Sequence, residues 1–396
     1  MRKWILSFQL LIGFGFSLAQ TSINPDISAI GTFNTYTNFI KDTPDYGKLN
    51  FDMPEFELFV DGYLNPYARA TFNIAFHDGE FHGEEIYAQV VRGLPLDIQV
   101  KAGKYLLGFG KINTIHPHAW SFIYRPLYQQ IYFGDEGFND IGGDLSFILP
   151  TGDVYTTLDV GIFKGDALIN EHHHEDEHET VEEEEPFEMD RGNSPIFVGR
   201  LGSFFSLGDF SNIEVGLSGS YGVYSKMDFY TSIDSSATPE NRALNYFYSG
   251  IDFKYKYRPD SYTALTIQGE ALWNRRDVPR KDDLDLDRQE EIYTFGAFIY
   301  VDYQFNKIFS VGAKYDFTYG IIGDETNYYT LANDDQNKTS GIEGWLGYYP
   351  FEETLALRLG VQHLMFSYAD ATKKDGETTI NLQLIFSLGP HKAHPF

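Results

Sequence analysis

Two stretches of this chain carry side chains spaced for metal chemistry. "NEHHHEDEHETVEEEEPFEMDRG", Asn170 to Gly192, holds His172, His173, His174 and His178 among eleven acids. Its core, "HEDEH", matches H-E-x-x-H letter for letter. In a zinc protease that spacing works on a helix, where both histidines share a face and the glutamate polarises zinc-bound water. Here the run is acidic and of low complexity, with no apolar face to pack a helix. It reads as a solvated outer loop, with a labile site for zinc or another divalent cation as the alternative. The second stretch, "DDLDLDRQEEIYT", has the Asp283-x-Asp285-x-Asp287 spacing of a calcium loop. Arg288 replaces its turn glycine and Thr294 its bidentate glutamate, so an EF-hand is not expected. "GFGKIN" at Gly108 lacks the third glycine and helix start of a nucleotide fold. "NKTS" at Asn337 fits a glycosylation acceptor, a short pattern that by itself assigns nothing. No Ser/His/Asp set supports an enzyme, and neither a resident cofactor nor a nucleic-acid partner is expected.

The elements that carry these segments decide the matter. The chain has 396 residues, a net charge of −27 and no cysteine, so no disulfide framework is used. Arg2 and Lys3, the apolar run Trp4–Phe16 and the small residues Ser17–Ala19 read as a secretory signal peptide, residues 1–19. The rest, 20–396, reads as one domain, with 168–193 as its His/Glu-rich outer loop. No second run is apolar and long enough for a spanning helix. Aromatic residues nevertheless reach 17%.

Period-two alternation recurs from end to end. In "TTINLQLIFSLG", Ile380, Leu382, Leu384, Phe386 and Leu388 share one face, and Asn381, Gln383 and Ser387 the other. "SNIEVGLSGSYGVY", "FSVGAKYDFTYG" and "TLALRLGVQ" repeat the pattern. About ten residues is the length a tilted strand needs to cross hydrocarbon. The pattern predicts sixteen strands, at 26–40, 52–63, 66–77, 83–92, 96–107, 138–149, 154–165, 195–206, 211–225, 243–257, 261–274, 291–304, 308–320, 339–350, 354–367 and 378–389. Short turns rich in Gly, Pro, Asn and Asp alternate with long connections, as expected of an all-β transmembrane antiparallel barrel with periplasmic turns and long outer loops. A barrel of this size encloses a water-filled channel.

The fifth strand runs into "KAGKYLLGFGKINTIHPHAWSFIYRP" and "GDEGFNDIGGDLSF". With the C-terminal "SLGPHKAHPF", these resemble the phosphate-selective porin O/P type of outer-membrane porin. The matching residues are Gly103, Lys104, Phe109, Gly110, Asn113, His116, His118, Gly137, Asp140 and Gly142. The resemblance implies a sixteen-stranded porin in the outer membrane of a Gram-negative cell. It further implies a homotrimer, a third long loop folded inward, and anion (phosphate) selectivity. Independently, 108–137 is the third long connection. Its Lys111, His116, His118, Trp120, Tyr124, Arg125 and Tyr128 are the candidates for a constriction.

The strand pattern turns Arg69, Lys101, Arg200, Lys254, Lys256, Lys314 and Arg358 inward. It also turns Glu57, Asp61, Asp97, Asp144, Asp159, Glu214, Asp252, Glu270, Asp302 and Asp316 inward. Seven cations facing ten anions, in a chain of −27, should favour cations over phosphate. Arg69, Arg200 and Arg358 read as partners of lumenal acids. The function expected is passive diffusion of small hydrophilic solutes or ions. The alternatives are a metal-associated porin using the His/Glu loop and the anion-selective porin of the resemblance.

Overall fold

The structure is a computed structural model and describes residues 25–41, 43–77, 79–134, 136–168, 193–232, 238–281, 286–319, 338–351, 354–367 and 376–389. The signal-peptide reading, His172, His173, His174, His178, Asp283, Asp285 and Asn337 lie outside those residues.

The chain forms one closed antiparallel sheet. Its strands are β1 (Asp26–Phe39), β2 (Leu49–Phe51), β3 (Glu55–Asn65), β4 (Ala68–His77), β5 (Glu80–Val90), β6 (Gln99–Leu106), β7 (Asn139–Leu149), β8 (Tyr155–Phe163) and β9 (Ile196–Ser206). They continue as β10 (Ser211–Phe229), β11 (Glu240–Tyr257), β12 (Ala264–Lys281), β13 (Asp287–Phe305), β14 (Phe309–Tyr319), β15 (Lys338–Phe351), β16 (Leu355–Ser367) and β17 (Glu377–Leu388). β2 and β3 pair with successive parts of β1 and make one stave, interrupted at Pro54, which has no N–H to give to a ladder. Sixteen staves result. β1 pairs with β17 from Ala29↔Leu388 to Phe39↔Thr378, so no sheet edge remains.

Alternation explains which face each residue takes. On β17, Ile380, Leu382, Phe386 and Leu388 are exposed on the outside, while Asn381 and Gln383 are buried within. On β14, Val311 and Tyr315 point out, whereas Lys314 and Asp316 are each 1% exposed. An outer surface of Leu, Ile, Val, Phe and Tyr suits hydrocarbon, and no helix among the described residues is long and apolar enough to cross a membrane. The ladders of such a wall pair backbone polar groups between neighbouring strands, as lipid requires.

The short turns follow their residues. Asn306 and Lys307 both take positive φ, 55° and 57°, in the tight turn 306–308 that joins the paired residues Phe305 and Phe309. The Asn65 side chain accepts from Tyr67 N and Ala68 N at 2.8 and 3.0 Å.

Two expectations need correction. The strand expected from 96 begins at Gln99, because Pro95–Asp97 form a 3-10 turn in which Leu96 and Asp97 take φ of 59° and 52°. Asp97 is therefore exposed in a turn and does not line the lumen. In addition, β10 to β13 run past the expected ends into the connections expected at 226–242 and 275–290. Apolar alternation stops there, since a strand beyond the hydrocarbon needs no apolar face. Charged pairs replace it, Arg275 with Glu291 and Arg280 with Glu290 across the β12–β13 hairpin.

Candidate functional site: the third loop and the wall it crosses

Sixteen staves about 4.8 Å apart, tilted by roughly 40°, enclose a circle about 30 Å across at the backbone. Inward side chains alone cannot fill that space. The segment 107–138, between β6 and β7, enters it. β6 is the fifth stave and β14 the thirteenth, so the two are diametrically opposite. The segment nevertheless bonds to β14: Lys314 Nζ donates to Tyr124 O, and Leu127 N donates to Asp316 Oδ1 at 3.2 Å.

Inward carboxylates hold the backbone of this loop. Glu270 Oε1 on β12 accepts from Lys111 N (3.0 Å) and Ile112 N (2.6 Å), and its Oε2 accepts from Tyr128 OH (2.8 Å). Glu343 Oε1 on β15 accepts from Ile123 N at 2.7 Å. Lys111 pairs with Glu214 of β10, and Gly110 N donates to Ser218 Oγ at 2.9 Å. Gly110 is a glycine by need: its φ is +66°, and a Cβ would stand 2.3 Å from Glu270 Oε2. The helix α1 (Leu127–Phe133) lies on β13, where a Cβ on Gly296 would meet Tyr128 Cβ at 2.3 Å. Tyr132 OH donates to Thr294 Oγ1 at 2.6 Å on the same strand.

The loop closes on itself through Asn113. Its Nδ2 donates to Leu107 O (2.8 Å) and Phe138 O (3.0 Å), and its Oδ1 accepts from Phe138 N (2.9 Å). Between these points lies an aromatic core in which Phe109, Phe122, Phe133 and Phe138 meet wall residues Tyr248, Phe298, Tyr300 and Trp345. Phe133 and Phe138 stack at 4.5 Å, and Lys314 Nζ sits 4.4 Å from the Phe122 ring centre.

Each expected constriction residue now has a place. Trp120 is buried, donates Nε1–H to Ile115 O at 2.9 Å and carries the Arg125 guanidinium 5.0 Å from its ring. His118 is held by Glu57, Nδ1 to Oε1 at 2.9 Å. His116 reaches Glu85 with Nε2 at 3.0 Å and faces Glu57 and Glu84 with Nδ1. Burial opposes its charged form, but those three carboxylates raise the imidazole well above its ordinary value. Burial, then Glu270, raises the Tyr128 phenol, and burial, then Glu343, raises that of Tyr124. Burial pushes Tyr132 up to about 12. All three phenols therefore stay protonated, and those of Tyr128 and Tyr132 donate.

The expected lumenal charges are mostly engaged. Arg69 pairs with Asp61 and Arg200 with Asp252, the latter at 2.6 Å. Arg358 instead donates to His118 O (3.3 Å) and Gln383 Oε1 (3.4 Å). Lys101 lies 3.7 Å from the Tyr105 ring centre, and Tyr105 OH donates to Asp144 at 2.6 Å. Ser146 donates to Asp159. Trp345 Nε1 donates to Asp302 at 2.9 Å. A cavity of about 280 Å³ beside the loop is lined by Lys254, Lys256, Arg258, Lys307, Arg358 and Asp302. The lumenal role of Glu343 and the pair Glu84–Glu85 escaped the sequence reading. Glu343 had a signal in "GIEGWLG", where exposed Ile342 and Leu346 set the phase that turns Glu343 and Trp345 inward.

No protein-family model matches the chain. An uncharacterised protein of Aquifex aeolicus (strain VF5) is 27% identical over 405 residues, covering 96% of this chain and 81% of the relative. Among solved structures, the anion-selective porin from Comamonas acidovorans is similar with a TM-score of 0.56 at 10% identity, over 92% of this chain and all of that one (100%). OprB of Pseudomonas putida gives 0.56 at 9% identity, covering 92% and 94%. The trimer form of OmpT, an outer membrane protein of Vibrio cholerae, gives 0.51 at 8% identity, covering 92% and 99%. Such identities speak to fold, and the chain shares with these proteins the architecture of a closed antiparallel barrel of sixteen staves.

Proposed function

We propose that the chain is a passive diffusion channel of a bacterial outer membrane, with no covalent chemistry of its own. Small hydrophilic solutes or ions cross the lumen beside the 107–138 loop. The observation that carries this reading is the loop's attachment from the fifth stave to the thirteenth, with a cavity of about 280 Å³ lined by charged side chains beside it. A loop pinned by buried carboxylates and aromatic contacts makes a constriction of fixed width. Lys111, His116, His118, Trp120, Tyr124, Arg125 and Tyr128 brace it. The lipid-facing outer surface and the porin neighbours support placement in the outer membrane, and the trimeric neighbour supports a homotrimer. Planar-bilayer recording tests the reading: stable open-channel steps are expected, and their absence from correctly folded protein would overturn it.

Anion preference is the second reading, and local charge favours it. Glu57, Glu214, Glu270, Asp316 and Glu343 are bonded to the loop, and Asp61 and Asp252 to arginines. The cavity beside the loop presents five cations and one acid. The reversal potential in a KCl gradient separates the two selectivities.

A further inference from the structure

The β4–β5 hairpin contains a bulge whose product is a cluster of metal-type donors. Asn73 pairs with Glu85, but its neighbour Ile74 pairs with Gly83, so Glu84 is an extra residue in β5. Such a bulge re-aims side chains. Here two consecutive residues, Glu84 and Glu85, both reach His116 of the loop, which an unbroken strand would forbid.

The donor geometry is specific. His116 Nδ1 lies 3.5 Å from Glu57 Oε2 and 3.4 Å from Glu84 Oε2. Metal bonds of about 2.0–2.1 Å at tetrahedral angles place donors roughly 3.3–3.4 Å apart. Asn73 supplies a fourth position, its amide nitrogen 2.9 Å from Glu57 Oε2 and 2.8 Å from Glu84 Oε2. Asn73 is 0% exposed, and its Oδ1 makes no hydrogen bond. A half-turn of the amide exchanges the two atoms and turns Oδ1 to the same point. The outer groups are also in place. Glu85 holds the far nitrogen of His116 at 3.0 Å, and His118 holds the other oxygen of Glu57 at 2.9 Å. Carboxylates and imidazoles in those positions fix tautomer and orientation in metal sites. The side chains of Glu57, Glu84 and His116 are 16%, 21% and 14% exposed, which leaves an entry from the lumen.

We propose that Glu57, Glu84, His116 Nδ1 and Asn73 Oδ1 bind one divalent ion of the Zn²⁺ type, oriented by Glu85 and His118. The ion ties the loop to β3, β4 and β5. The site uses no residue of the His/Glu-rich segment, and it stands whether or not the lumen conducts.

The test uses the full-length folded barrel in a background that removes six of the nine other histidines. These include the rim trio His77, His82 and Glu136, so the background is H77A/H82A/H172A/H173A/H174A/H178A. Calorimetry with Zn²⁺ is expected to show one equivalent bound. Glu84→Gln, a carboxylate-to-amide change of equal shape, should abolish it, and Glu85→Gln should weaken it about 10- to 100-fold. Co²⁺ should give the intense visible bands of a tetrahedral site in the background protein and not in Glu84→Gln. Heat-modifiable migration confirms that each variant is folded. No Zn²⁺ equivalent in the folded background, or equal binding by Glu84→Gln, would overturn the proposal.

Discussion

Asn113 shows what one side chain does for the loop and how to measure it. It is 2% exposed and makes three hydrogen bonds across the loop neck. In Asn113→Ala, Leu107 O keeps Phe109 N and Phe138 O keeps Leu107 N, so Phe138 N alone is orphaned. An orphaned buried donor costs about 1–3 kcal/mol. The expected outcome is a lower urea midpoint for the folded, heat-modifiable form, and an unchanged midpoint would refute the clamp. Tyr128→Phe tests the other anchor. It removes the donor to Glu270 Oε2 and should cost about 1.5–3 kcal/mol, the range for a bond to a charged group. Glu270→Gln should lose part of the same interaction, so the double variant should cost less than the sum of the singles. At this scale the sequence was half legible. The loop residues stood out as a polar and aromatic group in the right connection. Their partners did not, because Gly110–Ser218 and Ile123–Glu343 are 108 and 220 residues apart.

At the scale of elements, strands were legible wherever the outside must be apolar. That requirement fixes a period of two and hence the phase of every inward residue, as on β14 and β17. It lapses beyond the hydrocarbon, which is why the outer ends of β10–β13 read as loops. It also cannot show a bulge, so the inward turn of both Glu84 and Glu85 was hidden. The loop and its helix α1 rest on a wall made bare for them. Gly296 and Gly360 lie under Tyr128 and Ile123, with added Cβ contacts of 2.3 and 2.6 Å. A valine at Gly296 must displace the helix rather than the closed wall, since sixteen laddered staves are stiffer than one loop. Gly296→Val should therefore leave heat-modifiability intact while exposing 107–138 to proteolysis and changing single-channel conductance. An unfolded barrel, or a folded one with unchanged conductance and protection, would contradict this account of how the loop is seated.

Across the whole molecule, the net charge of −27 is a poor guide to the passage, because charge acts where it is exposed to the solute. Lumenal acids accept bonds from loop amides, arginines and hydroxyls, and their field is directed at those partners. Lys254 and Lys256 follow one another inward on β11 and line the cavity with Arg258, Lys307 and Arg358. Two neighbouring inward lysines should raise the potential of the cavity within about one Debye length, roughly 8 Å at physiological salt. Reversing both, in Lys254→Glu/Lys256→Glu, changes the local charge by four. The reversal potential in a KCl gradient should move toward that of a cation-selective pore, and the movement should shrink as salt rises. Removing acids from the exposed β12–β13 hairpin, as in Glu290→Gln/Glu291→Gln, alters net charge by two but lies far from this cavity along β12 and β13. That change should leave the reversal potential nearly where it was. If the hairpin change moved it as much as the lysine change did, net charge and not the cavity lining would govern selectivity.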